Sequence, residues 1–440
     1  MDLTIFNFLE QLNDFIWGYL AFLLIMGLGG YFSVRSRFFQ IRRFGAIFRS
    51  FFAFFSDRNT PAHGVHPLKV FFAAIGGCIG IGNIVAICTA VQIGGPGALF
   101  WTWIGGFAGM LIQYAEVYLG MRYRVKNHEG SYDGGPMYFL PVAYKTRWIA
   151  PLVSILLCLY GVEIFMFNVM VDSISVNWGL NPYLIAGGLL VATLVVAYGG
   201  INRVGELCSG LIPLFVALYL IMGLWVLLQH AQDLPGILKM VFEGAFTEQA
   251  AKGAFAGSTV NLSISMGLSR GAYSGDIGVG YTSVIHAESR TTQFQRQAAL
   301  TIVGIFLDTF IISTLSILLV LVTGHWQSGI DSPLMVQEAL SLSFPYMHYF
   351  MPFFLFLLGY TTILAYFVVG VKCAKFISPK WGPRLYYLYA SIALPLFAFV
   401  NPIHAFLLMS LSGACLLLLN LFGMFILRKE IKFGLDSKKP

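Results

Sequence analysis

AAIGGCIGIGNIVAICTAVQIGGPG, residues 73–97, is an apolar stretch long enough to cross a membrane. Gly76, Gly77, Gly80 and Gly82 sit near its centre, and Asn83 follows at once. Each glycine inside a helix costs roughly 1 kcal/mol against alanine, so a continuous packed helix has little use for so many. A helix that breaks at mid-bilayer does use them, because its freed backbone groups become ligands for a substrate or an ion. The plainer alternative is close helix packing through small-xxx-small spacing, which Gly76 and Gly80 also fit. A dinucleotide-binding reading of GGCIGIGN fails, since no βαβ context or downstream acidic residue accompanies it.

Working outward, the 440-residue chain is 58% apolar and 11% charged, where a soluble domain carries about 25% charged residues. The composition describes an all-α integral membrane protein forming one transmembrane domain over 1–440. Eleven apolar runs are expected to span: 15–34, 69–90, 97–122, 148–170, 182–198, 206–228, 254–290, 299–323, 347–371, 384–400 and 403–427. The formal charge of +7 is not spread evenly. With the N-terminus outside, one side of the membrane collects Arg35, Arg37, Arg42, Arg43, Arg49, Arg58 and Lys69. The same side collects Arg122, Arg124, Lys126, Lys145, Arg147, Arg203, Arg290, Arg296, Lys372, Lys375, Lys380, Arg384 and the tail 428–440. The opposite side holds only Lys239 and Lys252. The positive-inside rule then places the C-terminus in the cytoplasm of a cell-membrane protein. The charge thus sets orientation and gives no support to nucleic-acid binding. Six cysteines lie singly without metal-like spacing, as packing residues do. The N-terminal segment carries Asp2, Glu10 and Asp14 and no basic n-region, so no cleavable signal peptide is expected.

A second unusual span supports the broken-helix reading of the first. The run 254–290 is too long for one straight helix and contains Gly267, Gly271, Gly275, Gly278 and Gly280 beside Asp276 and Arg270. Five spans begin with the first glycine-rich helix (69–228) and five with the second (254–427), after one extra helix at 15–34. An odd number of spans per half inverts the second half relative to the first, the arrangement of carriers with a mid-membrane site.

The stretch 73–140 resembles the alanine/glycine:cation symporter family. GIGNI at 80–84, GGPGALFWTW at 94–103, YAE at 114–116, RYR at 122–124 and GGPMYF at 134–139 resemble its signatures. SRGAYSGDIGVG at 269–280, FLDT at 306–309 and TTILAY at 361–366 resemble later ones, so the likeness runs from Phe15 to Arg428. The resemblance implies a LeuT-type fold of 5+5 inverted repeats behind one N-terminal helix. It also implies sodium-coupled, sometimes proton-coupled, uptake of small neutral amino acids such as alanine, D-alanine or glycine. No cofactor is implied beyond sodium as coupling ion. Carried over residue by residue, it places the carbonyls of Gly76, Ile79 and Leu358 and the hydroxyls of Thr361 and Thr362 around one sodium ion. Asn83 would serve a second ion site near the substrate.

The residues themselves suit that chemistry. A zwitterion needs N–H groups at a helix N-terminus for its carboxylate and carbonyls at a C-terminus for its ammonium. Unwinding at Gly76, Gly77, Gly80 and Gly82 and at Gly271, Ser274, Gly275, Asp276 and Gly278 would supply both. Thr361 and Thr362 have a simpler use in bonding their own helix at i−4. Among ionisable residues in spans, Asp276 is the candidate for the ion or substrate pathway, with a structural pair to Arg270 as the alternative. Glu116 suits helix packing or a gate. Glu163 and Asp308 suit hydrogen bonds to a neighbouring broken helix. GGPG at 94–97 reads as a tight turn, and GGP at 134–136 as a cytoplasmic loop near a gate.

The chain also departs from the family pattern. The usual SNEAG becomes Ser274-Gly275-Asp276-Ile277-Gly278, GVA after GNI becomes Val85-Ala86-Ile87, and a glutamine region in the fourth span becomes Met170-Val171-Asp172. Lost amides leave the substrate and the coupling ion open, so a proton-coupled carrier of another small solute is the rival within the class. A channel would show rings of charge or a repeated filter motif, and a membrane enzyme convergent catalytic groups. Neither is visible.

Overall fold

The fold is that of a computed structural model, which describes residues 3–56, 64–127, 130–247 and 260–435. Helix α1 (Leu3–Phe15) passes through a π-turn at Ile16–Ala21 into α2 (Phe22–Arg35). Two shorter helices follow, α3 (Phe39–Arg42) and α4 (Phe44–Ala53). The glycine-rich span is two helices, α5 (Pro67–Cys78) and α6 (Ala86–Gly94), joined by a 3-10 turn at Ile81–Asn83. Next come α7 (Ala98–Arg122), the strands β1 (Val125–Lys126) and β2 (Tyr132–Asp133), α8 (Pro136–Tyr144), α9 (Ile149–Tyr160) and α10 (Ile164–Trp178). Helices α11 (Pro182–Ala197), α12 (Gly200–Gln229) and α13 (Leu234–Phe246) come next. Another interrupted span follows, α14 (Val260–Ser274) and α15 (Tyr281–Ala287). Helix α16 (Phe294–Ile305) runs through a π-turn at Phe306–Ser313 into α17 (Thr314–Val322). The chain continues through α18 (Ser332–Ser341), α19 (Met347–Ile377), α20 (Gly382–Phe397) and α21 (Pro402–Ile426).

Local chemistry explains several helix starts. His66 accepts from the Leu68 N–H with Pro67 in the first turn, and Asn181 and Asn401 do the same ahead of Pro182 and Pro402. Among the described residues six helical runs are long and apolar enough to cross a bilayer: Phe6–Arg35, Ile149–Trp178, Gly200–Gln229, Phe294–Val322, Met347–Ile377 and Pro402–Glu430. The pair Pro67–Cys78 and Ile81–Gly94 makes a seventh, bent by 50°. The other expected spans fall on α7, on α14–α15, and on α11 and α20, which have 16 residues each. Positions 254–259 of the expected seventh span, with Arg58 and Lys252, lie outside the described residues. The span expected at 15–34 is the later part of a longer helical run that already begins at Leu3.

Helices α5, α6, α7, α14, α15 and α19 form the centre, where α14 lies against α6 and α7, α5 against α12, and α19 against α9 and α10. Large apolar side chains of α11, α12 and α20, among them Leu184, Ile221, Leu228 and Leu396, stay exposed, as a lipid-facing surface requires. At the crossing of α14 and α7 a Cβ on Gly267 would stand 2.4 Å from the Ala98 carbonyl oxygen. Gly267→Val should therefore lose about 1–3 kcal/mol through overpacking. Gly187→Ala, with nothing within 4 Å of the new methyl, should be neutral or stabilising. Thermal unfolding of the detergent-solubilised chain reads both.

Candidate functional site

The first break is built by its own backbone and one amide. Helix α5 stops because Ile79 turns to ψ 92° and Gly80 is fully extended (φ −142°, ψ −157°). The Asn83 side-chain oxygen accepts the Gly80 N–H at 3.0 Å and fixes the turn. Its amide nitrogen donates to the Asp308 carboxylate and, at 3.0 Å, to the Ser313 hydroxyl. The same carboxylate accepts from Ser274 at 3.1 Å and from Thr309 at 2.9 Å. Asn83, Ser274, Asp308, Thr309 and Ser313 are all buried. The π-turn Phe306–Ser313 widens the helix and brings Asp308 and Ser313 to Asn83 and Ser274 at the two breaks. Asp308 thus ties the first broken span to the second.

The second break follows a different plan. Asp276 adopts left-handed backbone (φ 51°), as do Gly278 (φ 74°) and Gly280 (φ 103°), so the chain turns sharply before α15. Glu116 on α7 accepts the Gly280 N–H at 3.2 Å and the Ser283 N–H at 3.1 Å, which places a buried carboxylate on the N-terminus of α15. Gln113, one turn earlier, donates to the Gly275 carbonyl at 3.0 Å and to Thr282 at 3.1 Å. Thr282 donates to one Asp276 oxygen at 3.2 Å. The other oxygen completes no hydrogen bond among the described residues.

A third break separates α9 from α10. Glu163, at φ 52°, starts α10 and accepts the Tyr273 hydroxyl of α14 at 3.1 Å. Both Glu163 and Asp308 therefore hold a broken helix. Asp276 and Arg270 do not pair, contrary to the structural alternative. Helix α14 ends between them, and Arg270 instead donates to Thr89 of α6 at 3.1 Å and lies 4.2 Å over the Phe406 ring.

Four of the five oxygens expected around sodium, those of Gly76, Leu358, Thr361 and Thr362, lie where α19 meets α5. The Thr362 hydroxyl lies 2.9 Å from the Gly76 carbonyl and 3.0 Å from the Leu358 carbonyl, the i−4 partner. Thr361 reaches the same Leu358 carbonyl at 2.9 Å, and Ile79 occupies the turn that follows Gly76. Hydroxyl and carbonyl oxygens suit a hard cation. Asn83 stands apart from this group, in the network around Asp308.

The expected glycines divide by surroundings. A Cβ on Gly76 would meet Cys208, one on Gly77 Tyr281, one on Gly271 Thr102 and one on Gly278 Leu421, so these line helix contacts. A Cβ on Gly80 would stand 2.3 Å from the Thr362 hydroxyl, and one on Gly275 3.0 Å from the Asp308 carboxylate. Gly82 alone among them faces loose surroundings, with Met166, Tyr273 and Ser274 each 3.6 Å from an added Cβ. Met166 and Tyr273 belong to the centre without having been expected there. Met170, singled out in the fourth span, packs instead against Gly359. Helical spacing brings both methionines to one face, a signal the sequence did contain.

One end of the bundle is clasped shut. Lys372 on α19 pairs with Asp133 at 3.0 Å and with Glu288. Arg124 donates to the carbonyls of Ala287, Ser289 and Thr291 at 2.9, 2.6 and 2.9 Å and lies 3.9 Å over Tyr132. Burial lowers the Arg124 guanidinium to about 10. Gly64 and Val65 join the clasp through Gly130 and Glu288. GGP at 134–136 is the link by which this clasp enters α8, and GGPG at 94–97 is the turn between α6 and α7.

Helices interrupted inside an apolar bundle, with side chains satisfying the freed backbone, define a membrane transporter rather than an enzyme. The chain belongs to the sodium:alanine symporter family, whose model matches residues 2–437. It is 27% identical over 391 residues to the sodium/alanine symporter AgcS of Methanococcus maripaludis, covering 86% of this chain and 85% of that one. It is 30% identical over 440 residues to an uncharacterized transporter of Haemophilus influenzae, covering 98% and 95%. Among solved structures it shares the fold of MhsT, crystallised with L-phenylalanine, at a TM-score of 0.55 and 16% identity over 81% of this chain and 89% of that one.

Glu116→Ala strips both acceptors from the start of α15, and leaving buried donors unpaired should lower stability by about 1–3 kcal/mol. Glu116→Gln keeps one acceptor oxygen and should lose less. Melting temperatures of the two variants give the order.

Proposed function

We propose that the chain is a secondary active transporter that carries small neutral amino acids (alanine, D-alanine or glycine) into the cell with sodium by alternating access. The observation that carries this reading is the meeting of the Gly76 and Leu358 carbonyls with the Thr362 hydroxyl. That hydroxyl bridges a broken helix to a continuous one, so an ion coordinated by its oxygen and the two carbonyls would link two bodies that must move relative to each other. Asp308, Ser274 and Asn83 offer a second oxygen-rich place beside both breaks. Gly82 supports a small substrate, since its surroundings leave room for about one methyl group.

In this reading eleven spans form one extra helix (15–34) and two inverted five-span repeats, 69–228 and 254–427. The two bent or interrupted spans that open each half, α5–α6 and α14–α15, speak for that division. The distribution of arginine and lysine puts the N-terminus outside and the 428–440 tail in the cytoplasm. The clasp of Arg124 and Lys372 then closes the cytoplasmic end, leaving the opposite end to admit substrate.

Uptake of radiolabelled L-alanine, D-alanine and glycine into proteoliposomes, with sodium and proton gradients imposed separately, tests the proposal. Sodium-driven accumulation of at least one is expected, and accumulation of none would defeat it. Thr362→Ala should raise the sodium concentration for half-maximal uptake about tenfold, equivalent to ~1.4 kcal/mol, without changing the order of substrates. An unchanged sodium curve removes Thr362 from the ion site. A second reading, coupling to protons, is favoured by the Asp276 oxygen that lacks a hydrogen bond among the described residues. On that reading Asp276→Asn loses pH-driven accumulation yet retains exchange.

A further inference from the structure

Helix α4 separates two kinds of side chain. Ala46, Arg49, Ser50 and Ala53 recur at i, i+3, i+4 and i+7, while Phe44, Ile47, Phe48 and Phe51 take the opposite face. Ile47 and Phe51 are buried, and Phe52 and Phe55 stay exposed beside them. An arginine-bearing polar face over an aromatic one is the pattern of a helix lying in the plane of a membrane surface.

The polar face opens on a cleft of about 470 Å³ between α4, the start of α16 and Leu435 of the C-terminal segment. Arg49, Ser50, Gln293 and Arg296 line it, the small Ala46 and Ala53 give it depth, and no carboxylate faces it among the described residues. Arg296 is already oriented. It donates to Ser50 at 3.0 Å and to Gln293 at 2.8 Å, and it lies 4.7 Å over the Phe54 ring. A guanidinium has five N–H groups, so three remain for a ligand. Arg49 is exposed and engages no partner among the described residues. Two guanidiniums beside a hydroxyl and an amide are donors for a phosphate oxygen array.

We propose that this cleft holds the phosphate of an anionic phospholipid, clamped between Arg49 and Arg296. The amphipathic character of the helix favours a lipid over a soluble phosphate: its aromatic face packs on the bent span through Phe51 and Phe71, and Phe52 and Phe55 leave apolar rings exposed beside it. Phe44 and Phe48 pack on Phe306 at ring distances of 5.0 and 5.8 Å, two residues before Asp308. A bound lipid therefore steadies α4 against the span that carries the Asp308 network.

Native mass spectrometry of the full chain in detergent, with equal phosphatidylglycerol and phosphatidylcholine, tests this without reference to what is carried. One phosphatidylglycerol should be retained in preference by about fivefold or more, the scale of one arginine at an anionic surface. Arg49→Gln should bring that preference close to unity without changing the melting temperature, and Arg296→Gln should do so as well. Arg43→Gln, outside the cleft, should leave the preference intact. An unchanged preference in Arg49→Gln overturns the site. So does an equal loss in Arg43→Gln, which would mean diffuse surface attraction. Displacement of the lipid by glycerol phosphate at equal concentration would instead mark a site for soluble phosphate and overturn the lipid assignment.

Discussion

One buried carboxylate organises the centre of this protein. Asp308 accepts from Asn83 in the first broken span, from Ser274 at the end of α14, and from Thr309 beside it. Two helices that abandon their own hydrogen bonds at mid-membrane would leave donors without water to meet them. The carboxylate fixes the side chains beside those breaks: it holds Asn83, whose oxygen takes the freed Gly80 N–H, and Ser274 at the end of α14. Glu116 performs the complementary task for the start of α15, and Glu163 anchors α14 through Tyr273. Glu116 thus takes backbone donors that an unwound segment frees, while Asp308 and Glu163 anchor side chains beside the breaks.

Much of this was legible in the residues. Glycine clusters marked both interrupted spans, and apolar runs fell on the long helices, though several of these extend beyond the expected ends, as the run to Trp178 and α19 to Ile377 do. The break at Glu163 was not legible, because a non-glycine residue takes the left-handed conformation inside an otherwise uninterrupted apolar run. Nor was the partnership of Asp308 with Asn83, which joins positions 225 residues apart through a π-turn that has no local sequence signal. The grouping of Thr362 with Gly76 came from family resemblance, since nothing in the spacing brings α19 to α5. Asp276 and Arg270 looked close enough to pair, but the end of α14 between them sends the two side chains to different neighbours. Helix α4 fell inside what reads as a long basic loop, although its phenylalanines already repeat at helical spacing.

The clasp at one end has a different character from the centre. Lys372, Asp133, Glu288 and Arg124 join a hairpin after α7 to the exit of α15 and to α19. These contacts are made by charged side chains, to carboxylates and to carbonyls, and all but Lys372 on α19 lie in the segments between helices. Helix-to-helix packing in the centre relies instead on glycines whose added Cβ would strike a neighbour, such as Gly267 on Ala98. The molecule is therefore rigid where helices cross and reversible where charges meet.

The π-turn at Phe306–Ser313 has a consequence for how the chain tolerates change. A π-turn holds one residue more than the α-helix it interrupts, and one residue is about 100° of helical rotation. Past the turn, Thr314 accepts from Trp103 at 2.8 Å and Ser316 meets Tyr219 at 2.7 Å. Loss of a single residue there would restore an ordinary helix and turn Asp308 away from the breaks, or else rotate Thr314 and Ser316 off their partners. Substitutions within 306–313 can preserve the transporter, but its length is fixed to the residue.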